Sequence, residues 1–269
     1  MQLIATARFQ AAFARATATQ PYTRKLAELT TNLANAGGGV DHPLLQSRDS
    51  IQRTALVVIS SGRGLCGGYN TNVLRATIEH LKQQDEAQIP TDIYAVGQKG
   101  ITYLEFVGRE VLEKRTDIDD RPRFDQVEPL ANELMRRFTE GEIDAAHVAY
   151  TRFYSAGKQG PELAQLLPMQ SEPEPDAQKG AGGESQYEFS PDPAQILDEL
   201  LPATLRVRLF QCFTDASVSE QVARMVAMKA ATDAAGDMIT GLTRKYNRAR
   251  QTHITMELLD IVGGANALS

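Results

Sequence analysis

The chain has only two cysteines, Cys66 and Cys212, among 269 residues. They fall in segments of different character, so no disulfide framework is expected, and a reducing, cytosol-like compartment fits best. No apolar run approaches the ~18 residues of a membrane span, so any membrane association is expected to run through other proteins. Basic residues are in deficit, and a formal charge of −6 lacks the electrostatic footprint of a nucleic-acid binder. The four histidines, His42, His80, His147 and His253, are scattered with no second ligand at metal spacing, so no metal site is expected.

Proline is absent from Ala203 to the last residue, and from about Leu205 to Val262 the chain reads as one helix. At about 1.5 Å per residue it would be roughly 85 Å long, more than a compact domain needs. Val218, Gln221, Met225, Met228, Thr232, Ala235, Ile239, Leu242, Tyr246, Ala249, His253 and Met256 alternate in steps of three and four, the spacing of a coiled-coil seam. Ala223, Ala227, Ala230, Ala231, Ala234 and Ala235 put small side chains around much of this helix, allowing another surface to come close. Arg224, Arg244, Lys245, Arg248 and Arg250 make its far end basic. Two readings fit: a helical hairpin with a solvated outer face, or a shaft whose surface meets several partners.

A partner helix is expected over 1–36. Ile4, Ala7, Ala11, Ala14 and Ala18 keep the same spacing, and Tyr22, Leu26, Leu29 and Leu33 continue it after a break at Pro21. Gly37-Gly38-Gly39 ends it. The periodic pattern is already under way at Met1-Gln2-Leu3-Ile4 with no capping residue, so the helix is expected to begin further upstream.

Between the terminal helices, 50–190 alternates strand and helix. Strands are expected at Thr54–Ser60, Asp92–Val96, Val111–Lys114 and Ala146–Tyr154, with helices at Asn70–Gln84, Gln98–Val107 and Gln126–Thr139. This order predicts a parallel or mixed sheet covered by helices. From Gln170 to Gln186 the composition turns to Pro, Glu, Gly, Ser and Gln, which reads as a mobile insertion, and Tyr187-Glu188-Phe189 reads as a short edge strand. The remaining segment, 193–269, is the second coiled-coil helix with its lead-in.

One motif resembles chemistry. Gly62-Arg63-Gly64-Leu65-Cys66-Gly67-Gly68 follows the first strand and precedes a helix, the context in which G-x-G-x-x-G carries a pyrophosphate. A nucleotide-binding enzyme using this loop is the alternative reading. It lacks support: the second strand ends Ala95-Val96-Gly97-Gln98 with no acid for a ribose, and Gly67-Gly68-Tyr69 replaces the Gly-Lys-Ser/Thr of a Walker loop. A tight structural turn is favoured, with Cys66 as a small buried residue and no catalytic or cofactor-binding residues. Asp119-Asp120 and Asp85-Glu86 read as solvated loops.

Ser61 to Asn72, Ser219 to Asp233, and Tyr246 to Gln251 running into Ile254–Leu258 and Ile261–Ala265 closely resemble the gamma subunit of the F-type ATP synthase, and the resemblance covers nearly the whole chain. It implies an antiparallel coiled coil of the two terminal helices plus a Rossmann-like α/β foot, acting as a rotor rather than a catalyst. Implied partners are a ring of alternating alpha and beta subunits, the epsilon subunit and the membrane rotor c-ring, and the implied location is peripheral, on the cytoplasmic face of the bacterial inner membrane. Arg224, Gln251, Thr255 and Glu257 match the segment that meets the ring subunits, Met1 matches a methionine near an acidic lever of the beta subunit, and the basic Arg248 and Arg250 are expected to meet acidic ring loops. The chain departs from the family at Gly62, where the pattern usually has Asp, in the missing opening motif before Met1, and in a longer 170–186 insertion. That insertion has no cysteine pair, so the redox switch of the chloroplast form is not expected.

Overall fold

A computed structural model describes residues 2–36, 42–48, 50–169 and 193–267. Two long helices, α1 (Gln2–Ala36) and α5 (Pro193–Ala267), bracket β1 (Thr54–Ile59), α2 (Tyr69–Glu86), β2 (Thr91–Val96), α3 (Gln98–Phe106), β3 (Glu113–Arg115), α4 (Phe124–Thr139), β4 (Ala145–Ser155) and β5 (Lys158–Leu167). The strands form one sheet in the order β3-β2-β1-β4-β5. β1 to β4 run parallel, and β5 returns antiparallel against β4.

β1, in the middle, is buried along its whole length, and its side chains alternate between two cores as strand geometry requires. Leu56 and Val58 pack with Val73, Leu74, Leu81 and Leu104 of α2 and α3. Ala55, Val57 and Ile59 pack with Leu130, Leu134 and Phe138 of α4 and with Leu197, Leu201, Leu205 and Leu209 of α5. The lower third of α5 is therefore part of the foot's core rather than a separate unit. The helix runs through Pro202, which forgoes one backbone hydrogen bond.

Four expectations need correction. Ile4, Ala7, Ala11, Ala14 and Ala18 are all exposed; the buried stripe of α1 is Ala5, Ala12, Ala16 and Leu26, with Phe9 packed beside it. Leu26, expected in the seam, is buried as read; before Pro21 the steps of three and four were right and the face was wrong, because an alanine-rich helix offers several equally good stripes. Nor does Pro21 break α1, which continues through it. Finally, β5 escaped the sequence reading because Gly160 and Pro161 interrupt it. It is the edge strand, and an edge is where a residue without an N–H is tolerated. β3 is shifted to Glu113–Arg115. Met1, the 170–186 insertion and Tyr187–Phe189 lie outside the described residues.

Candidate functional site

Every residue of α5 from Lys229 to Asn266 is exposed. This bare stretch is about 57 Å long at ~1.5 Å per residue, and it carries an unusual apolar load: Met238, Ile239, Leu242, Tyr246, Ile254, Met256, Leu258, Leu259, Ile261 and Val262 are each at least 47% exposed. Such a surface marks an interaction site. Its distribution is uneven. At 3.6 residues per turn, Met238 to Tyr246 place their apolar side chains on an arc of about 100°, whereas the apolar residues of 254–262 spread over about 220° of the helix. Ile239 and Leu242, expected inside a seam with α1, are exposed and have no packing partner among the described residues, because the buried seam ends near Val222.

The expected partner-contacting residues divide into groups. Arg248, Gln251 and Thr255, at i, i+3 and i+7, share one face of the bare helix, while Arg250 and Glu257 project from another. Thr255 donates its hydroxyl to Gln251 O at 2.9 Å, and His253 lies 3.2 Å from Glu257. Arg224 is elsewhere, at the base of the shaft, where it pairs with Glu220.

That base is a collar built from the glycine motif. Leu65 (φ +64°) and Gly67 (φ +55°) turn the chain back after β1, and Asn70 fixes the turn by accepting the Ser61 N–H at 3.0 Å and donating to Cys66 Sγ at 3.3 Å. A Cβ on Gly67 would sit 3.9 Å from both Ala223 O and Ala227 Cβ, so the loop lies against α5. At the end of β2, where a dinucleotide fold would place its ribose-binding acid, Gly97 (φ +90°) packs so tightly that a Cβ would lie 2.2 Å from Ser60 O. Close backbone approach is thus required at Gly97, whereas within the motif Gly67 is required for its left-handed turn.

Around the collar, Arg8 of α1 donates to Asp120 at 2.9 Å and Arg63 of the loop to the same oxygen at 3.3 Å. Ser217 Oγ donates to Asp120 O at 2.7 Å, Ser219 Oγ to Thr151 O at 3.1 Å, and Arg224 to Arg63 O at 3.5 Å. Burial pushes the Glu220 carboxyl above its usual range, with the Arg224 charge pulling the other way. Tyr69, fully enclosed beside them, is pushed up by burial and then by Glu220. Sequence reasoning missed Arg8, Asp120, Ser217 and Glu220. Asp119 is exposed as expected, but Asp120 is not a solvated loop residue: 18% of its side chain is exposed.

Two histidines scattered in sequence meet in space. The His80 and His147 rings lie 5.2 Å apart, and His80 Nε2 and His147 Nδ1 are buried without hydrogen-bond partners. Among the described residues no group of three or more His, Cys, Asp or Glu is placed to hold a metal ion.

A family profile described as ATP synthase matches residues 1–268. The ATP synthase gamma chain of Rhodopirellula baltica is 42% identical over 271 residues, covering 100% of this chain and 92% of that one. That of Leptospira biflexa is 38% identical over 269 residues, again covering 100% and 92%. Among solved structures, the Tetrahymena thermophila mitochondrial ATP synthase central stalk and c-ring contains a chain of similar fold. It superposes with a TM-score of 0.63 at 18% identity, covering 86% of this chain and 97% of that one. A chain of the Euglena gracilis mitochondrial ATP synthase gives 0.58 at 16% identity, covering 99% and 94%.

Proposed function

The chain belongs to the gamma-chain family of the ATP synthase, and from that membership we propose that it is the central rotor shaft of an F-type ATP synthase, coupling proton flow to ATP synthesis by rotation. The observation that carries this reading is the bare stretch Lys229–Asn266, a helix with apolar surface over more than half its circumference near its end and no packing partner among the described residues. A ring of three alpha and three beta subunits around it would cover that surface. The foot would sit on the c-ring beside the epsilon subunit.

On this reading the chain is not catalytic. It acts by presenting different faces to the beta subunits, which carry the ATP chemistry. Shifting a subunit from 1:99 to 99:1 between two states requires about 5.5 kcal/mol of differential contact. Exposed charge pairs supply roughly 0–1 kcal/mol each. The one-sided apolar arc at Met238, Ile239, Leu242 and Tyr246 would need to bury only about 220 Å² more in one state than the other, at ~25 cal/mol per Å². Arg248, Gln251 and Thr255 on one face, with Arg250 and Glu257 on another, add polar selectivity at the ring's loops. None of the described helices is long and apolar enough to cross a membrane, which fits peripheral attachment, on the cytoplasmic face of a bacterial inner membrane.

The test is to combine the chain with an alpha-beta ring and follow a probe tethered to the foot during ATP hydrolysis. Unidirectional stepping in three positions per turn is expected. A ring that hydrolyses ATP around a stationary chain, or that does not retain the chain, would overturn the proposal.

A further inference from the structure

We propose that Asp120 is a positioning residue that locks the long helix to the foot against twisting. The inference rests on the rotor reading above. Asp120 lies on a loop of the foot, yet its carboxylate takes Arg8 of α1 at 2.9 Å and Arg63 of the glycine loop at 3.3 Å, and its backbone carbonyl takes Ser217 of α5 at 2.7 Å. One residue thus ties both helices of the shaft to each other and to the collar.

Its level on the shaft matters. Ser217 lies about one turn below Gln221 and Val222, the last residues of α5 that are buried among those described; above them the glycine loop touches the helix as far as Ala227, and from Lys229 on it is bare. At that level Ala12 and Ala16 face Val218 and Val222, with Phe9 of α1 and Phe153 of β4 packed at the side. Alanine methyls make shallow ridges, so this packing resists separation of the helices far better than rotation of one past the other. Hydrogen bonds depend on direction as well as distance, and they resist the rotation that the seam permits. The glycine loop completes the grip, with Gly67 against Ala223 and Ala227 and with Arg63 O receiving Arg224.

A torsional role can be separated from a folding role. The cations facing Asp120 are more than a third exposed, Arg8 at 37% and Arg63 at 64%, so these pairs add little to folding stability. Removing the carboxylate should leave a chain that folds and assembles but twists more easily at the collar.

The experiment uses the chain assembled with its alpha-beta ring and a probe on the foot, comparing wild type with Asp120→Ala, Asp120→Asn, Asp120→Glu and Ser217→Ala. ATP hydrolysis should stay within about twofold of wild type in all of them, as expected for loss of exposed pairs. The angular spread of the probe during pauses should widen by about 1.5-fold or more in Asp120→Ala, a mean-square displacement more than doubled. Asp120→Asn and Ser217→Ala should widen it less, and Asp120→Glu should restore it. Stepping with equal spreads would overturn the proposal alone. Failure of both Asp120→Ala and Asp120→Asn to assemble would also overturn it, making Asp120 a folding residue. A wild-type chain that does not step would overturn the rotor reading and this proposal with it.

Discussion

Glu220 holds Arg224 at 2.5 Å one turn further along α5, with only 10% and 13% of their side chains exposed. A charge pair this enclosed is costly to break, because the survivor is left without a counter-ion. The two ways of breaking it are not equivalent. Glu220 already has a pKa raised by burial, so it can take up a proton when Arg224 is removed, whereas an arginine cannot shed its charge.

Glu220→Gln is therefore expected to destabilise the chain by about 3 kcal/mol, at the low end for a broken buried pair and nearly independent of pH. Arg224→Leu should cost less at pH 5 than at pH 8, since the burden of a buried carboxylate grows as pH rises above its unfolded pKa. Chemical denaturation at both pH values checks this. A flat pH response for Arg224→Leu would show that Glu220 finds another counter-ion.

Asp215 gives a second pH-dependent prediction. Burial pushes its carboxyl up to about 6 from an ordinary 3.8, opposed by a hydrogen bond from Gln211 and the charge of Arg152. A folded pKa above the unfolded one means the contribution to stability is fully present below about 3.8 and is lost as pH rises through about 6. Asp215→Asn should thus stabilise the chain by about 1–2 kcal/mol at pH 8 and by little at pH 4, allowing for partial exposure. Thermal melts at the two pH values are the measurement, and an equal effect at both would contradict the assignment.

His147 works in the opposite direction. Burial, then the neighbouring His80, pushes it down to about 4 from 6.5. Stability from keeping it neutral is present above pH 6.5 and is lost as pH falls toward 4. His147→Phe should flatten the loss of stability between pH 7 and 4.5 by about 1–3 kcal/mol. An unchanged acid limb in equilibrium unfolding would mean the pair is solvated when folded.

Legibility in the sequence followed how local each cause was. The four parallel strands and α2 to α4 were readable because their apolar periods are strong, and the bare helix was readable because nothing in α5 after Pro202 can stop it. The face of α1 was not, since Ala5, Ala12 and Ala16 are indistinguishable in sequence from Ala7, Ala11 and Ala14 until Val218 and Val222 select them. The glycine motif was read correctly as a tight turn, but its helical partner is some 160 residues away along the chain, as α5 is from Arg63. Asp120 was misread for the same reason: its partners Arg8, Arg63 and Ser217 are brought to it by three separate elements.

The sharpest separation of stability from function lies on the bare helix. Ile239 and Leu242 are 65% and 58% exposed, so changing both to Asp buries no charge in the chain itself and should move its thermal stability by no more than about 0.5 kcal/mol. Inside a ring the same change would set two carboxylates within the apolar arc, against a surface that must otherwise be dry. Unpaired charge in such a contact is expensive, roughly several kcal/mol per ion even after relaxation. Assembly with the alpha-beta ring should therefore weaken by at least about a hundredfold, or 2.7 kcal/mol, while the melting curve of the isolated chain is unchanged. Asp substitutions at Asp237-flanking Thr240 and at Arg244, on the opposite side of the same turns, should weaken it much less. Equal losses from both sides would show that the ring does not distinguish the faces of the shaft, and the one-sided arc would then have no part in driving the beta subunits.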